Sequence, residues 1–178
     1  MTFPSFVPGE VLRAQDMNAV GLWLVKSQTI GTGVTSVPVN DCFPTDYNGF
    51  RIIIENLDTN GSASHDIQLN GITTSTYFTG GNFMGWGGAA ITGYGPAAMT
   101  TWIVSANAAA STGTVITLDL WNPNQTRRKY GVSHGIAGNG HTMLNLYSIS
   151  SATSTGFTLG KSGNTMTGGT IRVYGYRN

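Results

Sequence analysis

The sequence predicts an all-β chain, a jelly-roll-like β-sandwich of about eight to ten strands behind a short N-terminal arm and helix. Three observations carry that expectation. Charged residues are 10% of the 178, against roughly 25% in an average soluble protein, while 25 glycines and abundant Thr, Ser and Asn keep the chain polar. Turn residues recur along its whole length and cut it into strand-sized pieces. Two of those pieces, Phe50–Leu57 and Thr114–Asn122, alternate apolar and polar residues with the period of a half-buried strand. The length suits one domain with a real core. The division expected is residues 1–26 as an anchoring arm and helix and residues 27–178 as the β-sandwich.

Residues 1–9 hold Phe3, Pro4, Phe6 and Pro8, so an extended arm with aromatic anchors is expected there. Glu10 to Lys26 reads as a helix, with Val11, Leu12, Met17, Val20, Leu22, Trp23 and Leu24 separated by few breakers. Its end is apolar nearly all round, and Leu22 and Trp23 are expected to pack near a symmetry axis. Gln28–Val39 reads as a strand or a kinked pair of strands, ending at an edge because of Pro38. Asp41-Cys42-Phe43-Pro44 leads to Phe50–Leu57, where Phe50, Ile52 and Ile54 share an apolar face and Arg51, Ile53, Glu55 and Leu57 the opposite, mixed one.

Asp66–Leu69 and Thr73–Phe78 read as a hairpin across Asn70-Gly71. Thr79–Pro96, with seven glycines among Phe83, Met84, Trp86, Ile91 and Tyr94, reads as a long loop. Strand character returns at Ala97–Ala106 and strongly at Thr114–Asn122, where Ile116, Leu118 and Leu120 oppose Val115, Thr117, Asp119 and Trp121. Thr126–Val132 follows as a strand, His134–His141 as a glycine-rich link and Thr142–Ile149 as an alternating strand. Phe157 and Leu159 mark a short strand, Gly160–Gly169 a polar link and Thr170–Tyr176 the last strand, the expected neighbour of Phe50–Leu57, where Arg172 can meet Glu55.

The net charge of +1 points away from nucleic acid, whose recognition leaves a basic footprint. Arg127-Arg128-Lys129 reads as a solvated strand end or an intersubunit contact. Cys42, the single cysteine, reads as a small buried hydrophobe. No basic-then-apolar leader opens the chain and no apolar run reaches the roughly 18 residues of a membrane span, so no membrane insertion is expected, and the protein belongs in a soluble compartment or is released by lysis. His134 and His141 stand seven apart without a carboxylate ligand nearby, which argues against a metal site. Glu55 and Asp119 are the one carboxylate pair worth weighing for glycoside hydrolysis, and separate pairing with arginines is the better expectation. With no nucleophile elbow, phosphate loop or dinucleotide fingerprint, neither catalysis nor a cofactor is expected. Exposed aromatics stack on sugars, and Trp86, Tyr94, Tyr77 and Tyr130 are available for it, with Trp86 and Tyr94 the candidate glycan contacts and core or subunit packing the plainer reading.

Three stretches carry a resemblance. Gly9-Glu10-Val11-Leu12-Arg13-Ala14-Gln15-Asp16-Met17-Asn18-Ala19 resembles the G-x-V-L-T-A-x-D-(L/M)-N-A opening of many tailed-bacteriophage virion proteins, with Arg13 where Thr is usual. The run from Phe43 through Tyr47-Asn48-Gly49-Phe50-Arg51-Ile52 is similar to the phage pattern F-(S/T)-x-x-Y-(D/N)-x-Y-(R/K)-I, with Phe50 in place of the second Tyr. Gly169-Thr170-Ile171-Arg172-Val173-Tyr174-Gly175 is similar to the G-T-I-R-(V/L)-Y-G that closes such domains. The resemblance implies a homotrimeric β-sandwich on the virion, assembled in the host cytoplasm and partnered by other virion proteins. It implies particle anchoring through the N-terminal segment, for which Phe3, Phe6, Val11, Leu12 and Met17 are the candidates. Leu22, Trp23, Arg51 and Ile53 are the candidate intersubunit residues. A short tail fibre or adaptor, a capsid decoration or cement protein, and a receptor-recognition module for a host cell-surface glycan all stay open, and none implies a catalytic residue.

Overall fold

The computed structural model describes residues 21–88, 91–95, 98–108, 113–161 and 163–176. The arm, most of the expected helix and the anchoring candidates Phe3, Phe6, Val11, Leu12 and Met17 lie outside them. The described residues form twelve strands: β1 (Leu22–Thr29), β2 (Ser36–Val39), β3 (Gly49–Thr59), β4 (Ala63–Leu69), β5 (Tyr77–Gly85), β6 (Ile91–Tyr94), β7 (Trp102–Ala108), β8 (Thr114–Trp121), β9 (Lys129–Ala137), β10 (Gly140–Ser148), β11 (Phe157–Lys161) and β12 (Met166–Tyr176). They make two antiparallel sheets, one ordered β1-β12-β3-β8-β9-β10-β5-β6 and the other β2-β11-β4-β7.

Eight of these strands reproduce a jelly roll, β1-β12-β3-β8 facing β2-β11-β4-β7. The other four are two insertions, β5–β6 between β4 and β7 and the β9–β10 hairpin between β8 and β11, and both extend the large sheet beyond β8. The all-β sandwich is as expected; the strand count exceeds the expected ten because stretches read as loops are paired. Thr79–Pro96 is no loop: it holds most of β5 and all of β6, with Gly81 opposite Tyr94 and Met84 opposite Ile91. His134–His141 is no link either, since Ala137 pairs with Gly140 across a two-residue turn at Gly138-Asn139. Gly160–Gly169 belongs largely to β11 and β12.

The expected helix is overturned over Leu22–Lys26, which belong to a strand paired with β12, so the sandwich includes residues that the expected division at 26/27 assigned to the anchor. Pairing with β12 satisfies every other backbone group of the segment, an option its local pattern does not reveal. The bulge between Leu24 and Lys26 turns Lys26 and Gln28 to the inner side, opposite Val173 and Ile171, an inward charge of the kind that protects a free sheet edge.

The hairpin expected across Asn70-Gly71 does not form. Gly71 takes φ +80° in a tight turn, but the chain there changes sheets. Leu69 N donates to Tyr77 Oη (3.1 Å), the same hydroxyl donates to Ile72 O (2.8 Å), and the Tyr77 ring packs edge-on against buried Trp102, 5.0 Å between centroids. Tyr77 thereby staples the crossing.

Phe50, Ile52 and Ile54 of β3 fill the core with Ile116, Leu118 and Leu120 of β8, Ile171 and Val173 of β12, and Ile67, Leu69, Phe157 and Leu159 of the small sheet. Leu57, expected on the mixed face, is fully buried. Asn56 adopts φ +51° and the β3–β8 register shifts between Ile54 and Leu57, so a bulge returns Leu57 to the core side. Cys42 is buried as expected; its Sγ donates to Val39 O, and burial pushes the thiol up to about 12.

Candidate groove and apolar face on the large sheet

Among the described residues, every exposed large hydrophobic side chain, from Leu22 and Leu24 on β1 to Ile91 on β6, lies on the large sheet or in the turns beside it. The cause is period two. Each strand of this sheet sends one set of side chains into the sandwich and the other outward, and antiparallel register aligns the outward sets into rows running across the strands.

One row is aromatic. Trp121 (β8) stands opposite Tyr130 (β9), Tyr130 opposite Tyr147 (β10) and Tyr147 opposite Phe78 (β5). Tyr130 and Tyr147 have ring centroids 5.5 Å apart at 32°, and Phe78 and Tyr147 5.9 Å apart at 34°. Trp121 and Tyr130 are 41% and 47% exposed. The next row inward, Val132, Asn145 and Gly80, forms the floor. Gly80 has nothing within 4 Å of where a Cβ would sit, so the missing side chain leaves a hollow. Rings and floor together line a groove of about 550 Å³, inside the roughly 300–1,000 Å³ range of small-ligand clefts.

The loop that joins Trp121 to Tyr130 is pinned. Lys129, read from sequence as part of a solvated basic end, is buried, and its ammonium donates to Gln125 O (3.0 Å), Arg127 O (2.5 Å) and Ser150 O (3.1 Å); burial lowers its pKa. The Asn124 amide donates to Pro44 O (2.7 Å) and Tyr47 O (2.9 Å). Arg127 and Arg128 are left exposed, and the Arg128 guanidinium lies 5.9 Å from the Tyr147 ring centroid.

Beside the groove the charges are already matched. Arg51 donates through Nε (2.8 Å) and Nη2 (2.7 Å) to the two oxygens of Asp119, and Tyr176 Oη donates to Asp119 Oδ1 (2.6 Å). Burial pushes the Asp119 carboxyl up, but those hydrogen bonds and the Arg51 charge outweigh it and hold the group below its ordinary value. Burial, then the bond to Asp119, pushes the Tyr176 phenol up to about 12. Arg172 pairs with Glu55. Glu55 and Asp119 thus sit in separate ion pairs, as expected.

At the other end of the sheet the outward row is aliphatic. Val115, Ile136, His141, Met84 and Ile91 face one another across five strands, with Met143 in the next row; Ile136 and Met143 are 55% and 53% exposed. Ile53, half-buried, continues this tract on β3 opposite Thr117.

Of the candidate intersubunit residues, Leu22, Arg51 and Ile53 share the outward face, while Trp23 stands opposite buried Gly175, on the inner side of the edge strand. Of the aromatics read as available for sugar stacking, Tyr130 lines the groove and Tyr77 is buried in the core, while Trp86 and Tyr94 lie elsewhere. Trp86 lies in the turn after β5 at the aliphatic end, its Nε1 donating to Ala137 O (2.9 Å) and its ring packed on His141; Tyr94 lies opposite Gly81, and its side chain is outside the described part of the structure. His134 and His141 also point to different rows, and no group of three or more His, Cys, Asp or Glu among the described residues is placed to hold a metal ion. Sequence reasoning named Tyr130 but missed Trp121, Tyr147 and Phe78 and the row they form with it. Each residue carried a legible signal as the outward member of an alternating strand, but their alignment depends on the register of three strand pairs. Compared with known proteins, the chain matches no family model, no curated protein and no solved structure.

Proposed function

We propose that the chain is a structural component of a tailed-phage virion, a homotrimeric surface appendage of the short-tail-fibre or adaptor type whose N-terminal segment attaches it to the particle. The observation that carries this reading is the one-sided distribution of exposed apolar side chains: Ile53, Val115, Ile136, Met143, Met84 and Ile91 form a tract that water penalises in a lone chain and that a second copy would cover. The two internal phage-like stretches add support. Phe50-Arg51-Ile52 and Thr170–Gly175 lie on β3 and β12, which pair along their length at the centre of the jelly roll. The low charge of the chain also suits an assembly protein, since charges are depleted at interface cores.

Light scattering on the full chain tests this reading. A trimer is expected, Ile136→Asp and Ile53→Asp are expected to yield folded monomers with unchanged β circular dichroism, and a monomeric unmutated protein would sink the proposal. Deleting residues 1–20 is expected to leave the sandwich folded and to abolish incorporation into particles.

A further inference from the structure

We propose that the groove lined by Phe78, Trp121, Tyr130 and Tyr147 binds an acidic saccharide, its sugar faces on the rings and its carboxylate on Arg128. The chemistry of the groove selects the class of ligand. Four rings in a row over four adjacent strands line a strip roughly 15 Å long at ~4.8 Å per strand, and its exposed members Trp121 and Tyr130 offer apolar surface to the faces of pyranose rings. The floor is polar as well as open: Asn145 is exposed between the strands, and Gly80 leaves room for a ring edge. The tyrosine hydroxyls and the Asn145 amide provide the few directional contacts that fix orientation in a small-ligand cleft.

Charge decides between a neutral and an acidic sugar. Among the described residues, the ion pairs are Arg51–Asp119 and Arg172–Glu55, so the exposed Arg127 and Arg128 take part in neither. The nearest carboxylate, Asp119, is held by Arg51 and Tyr176. Arg128, 5.9 Å from the Tyr147 ring centroid, therefore sets a cation without a matching anion beside the groove. A guanidinium presents its donors as a planar fork that fits a carboxylate in bidentate fashion. The Lys129 ammonium and the Asn124 amide fix the loop that carries Arg128, so the cation is positioned before the ligand arrives.

Titration calorimetry on the full chain with a tetramer of galacturonic acid, and with a neutral tetramer of galactose as control, tests the assignment. Binding of the acidic tetramer below about 1 mM and a clear preference over the neutral one are expected. Trp121→Ala is expected to weaken binding at least about tenfold, with the melting temperature and oligomeric state unchanged, and Arg128→Gln to erase the preference for acid while leaving the fold intact. Added salt should weaken the acidic ligand more than the neutral one. No binding up to about 10 mM, equal affinity for the two tetramers, or an unchanged preference in Arg128→Gln would each overturn the proposal. A Trp121→Ala protein that loses its oligomeric state instead would assign the groove to a second copy of the chain and overturn it too. The sugar readout is independent of virion incorporation, so the failure of one proposal is distinguishable from the failure of the other.

Discussion

The large sheet has two halves that face outward with different chemistry. In the jelly-roll half, β1-β12-β3-β8, the outer face holds Arg51, Glu55, Asp119 and Arg172, every one in an ion pair, with Tyr176 capping Asp119. In the inserted half, β9-β10-β5-β6, the outward positions among the described residues are Tyr130, Val132, His134, Ile136, His141, Met143, Asn145, Tyr147, Phe78, Gly80, Asn82, Met84, Ile91 and Gly93, with no Asp, Glu, Arg or Lys among them. The inner faces differ as well. Strands β3, β8 and β12 cover a full apolar core, whereas β9 turns Gly131, Ser133, Gly135 and Ala137 inward, small enough for β7 to approach. Ser133 Oγ donates to Val104 O (2.6 Å), Ile103 N donates to Thr79 Oγ1 (3.2 Å) and Trp102 Nε1 donates to Tyr147 O (2.9 Å). One half is thus stabilised by its own core and pairs these four charges on its surface. The other is held by close backbone approach and leaves its outer surface for a partner or ligand, which is why both proposals fall on the insertions or at their border.

The largest expected effect breaks a close contact between two inserted strands, β5 and β10. A Cβ on Gly81 would sit 2.0 Å from Met143 O, a backbone atom that cannot move aside, so Gly81→Ala is expected to destabilise by about 1–3 kcal/mol or more, read from urea unfolding. Gly80→Ala, one residue along and open, is expected within about 0.5 kcal/mol of the unmutated protein; equal losses at the two sites would show that the added strands are not held in this way.

A smaller effect probes the charged half. The folded-state pKa of Asp119 lies below its ordinary value of 3.8, so its contribution is fully present above that value and is lost as pH falls through the lower folded one. Arg51→Ala is expected to cost about 1 kcal/mol at neutral pH, discounted for solvent screening because the pair is partly exposed. Asp119→Asn should flatten the loss of melting temperature below about pH 4, and an unchanged acid limb would remove the pair from the stability account. Arg172→Ala at the more exposed Glu55 pair is expected to cost less, about 0.5 kcal/mol or below. If it costs as much as Gly81→Ala, the division between the halves fails.

Much of the jelly-roll half was legible because its strands are strong alternators. Phe50, Ile52 and Ile54 point inward with Ile116, Leu118 and Leu120, and Arg172 meets Glu55 as the order of strands suggested. The inserted half was harder to read. Gly131, Gly135, Gly80 and Gly81 look like loop residues when counted, yet Gly131-x-Ser133-x-Gly135-x-Ala137 alternates small residues with Tyr130, Val132, His134 and Ile136 as faithfully as any apolar strand. Small residues on every second position mark a face pressed against another backbone, and that signal is weak until the neighbour is known. The helix read into Glu10–Lys26 failed over Leu22–Lys26 because a short apolar run has no period of its own to separate helix from edge strand.

By itself the sequence determined the class of fold and, on most strands, which side chains share a face, because alternation is a property of neighbouring residues and needs no partner. It also determined that the buried charges would be few. Register and sheet order were decided by the tertiary structure alone: that Asn70-Gly71 changes sheets instead of closing a hairpin, that the bulge at Asn56 returns Leu57 to the core, and that Trp121, Tyr130, Tyr147 and Phe78 stand in one row. A groove of this kind exists only where separate strands are aligned, and alignment is set by hydrogen bonds and packing between segments up to 69 positions apart in the chain, from Phe78 to Tyr147.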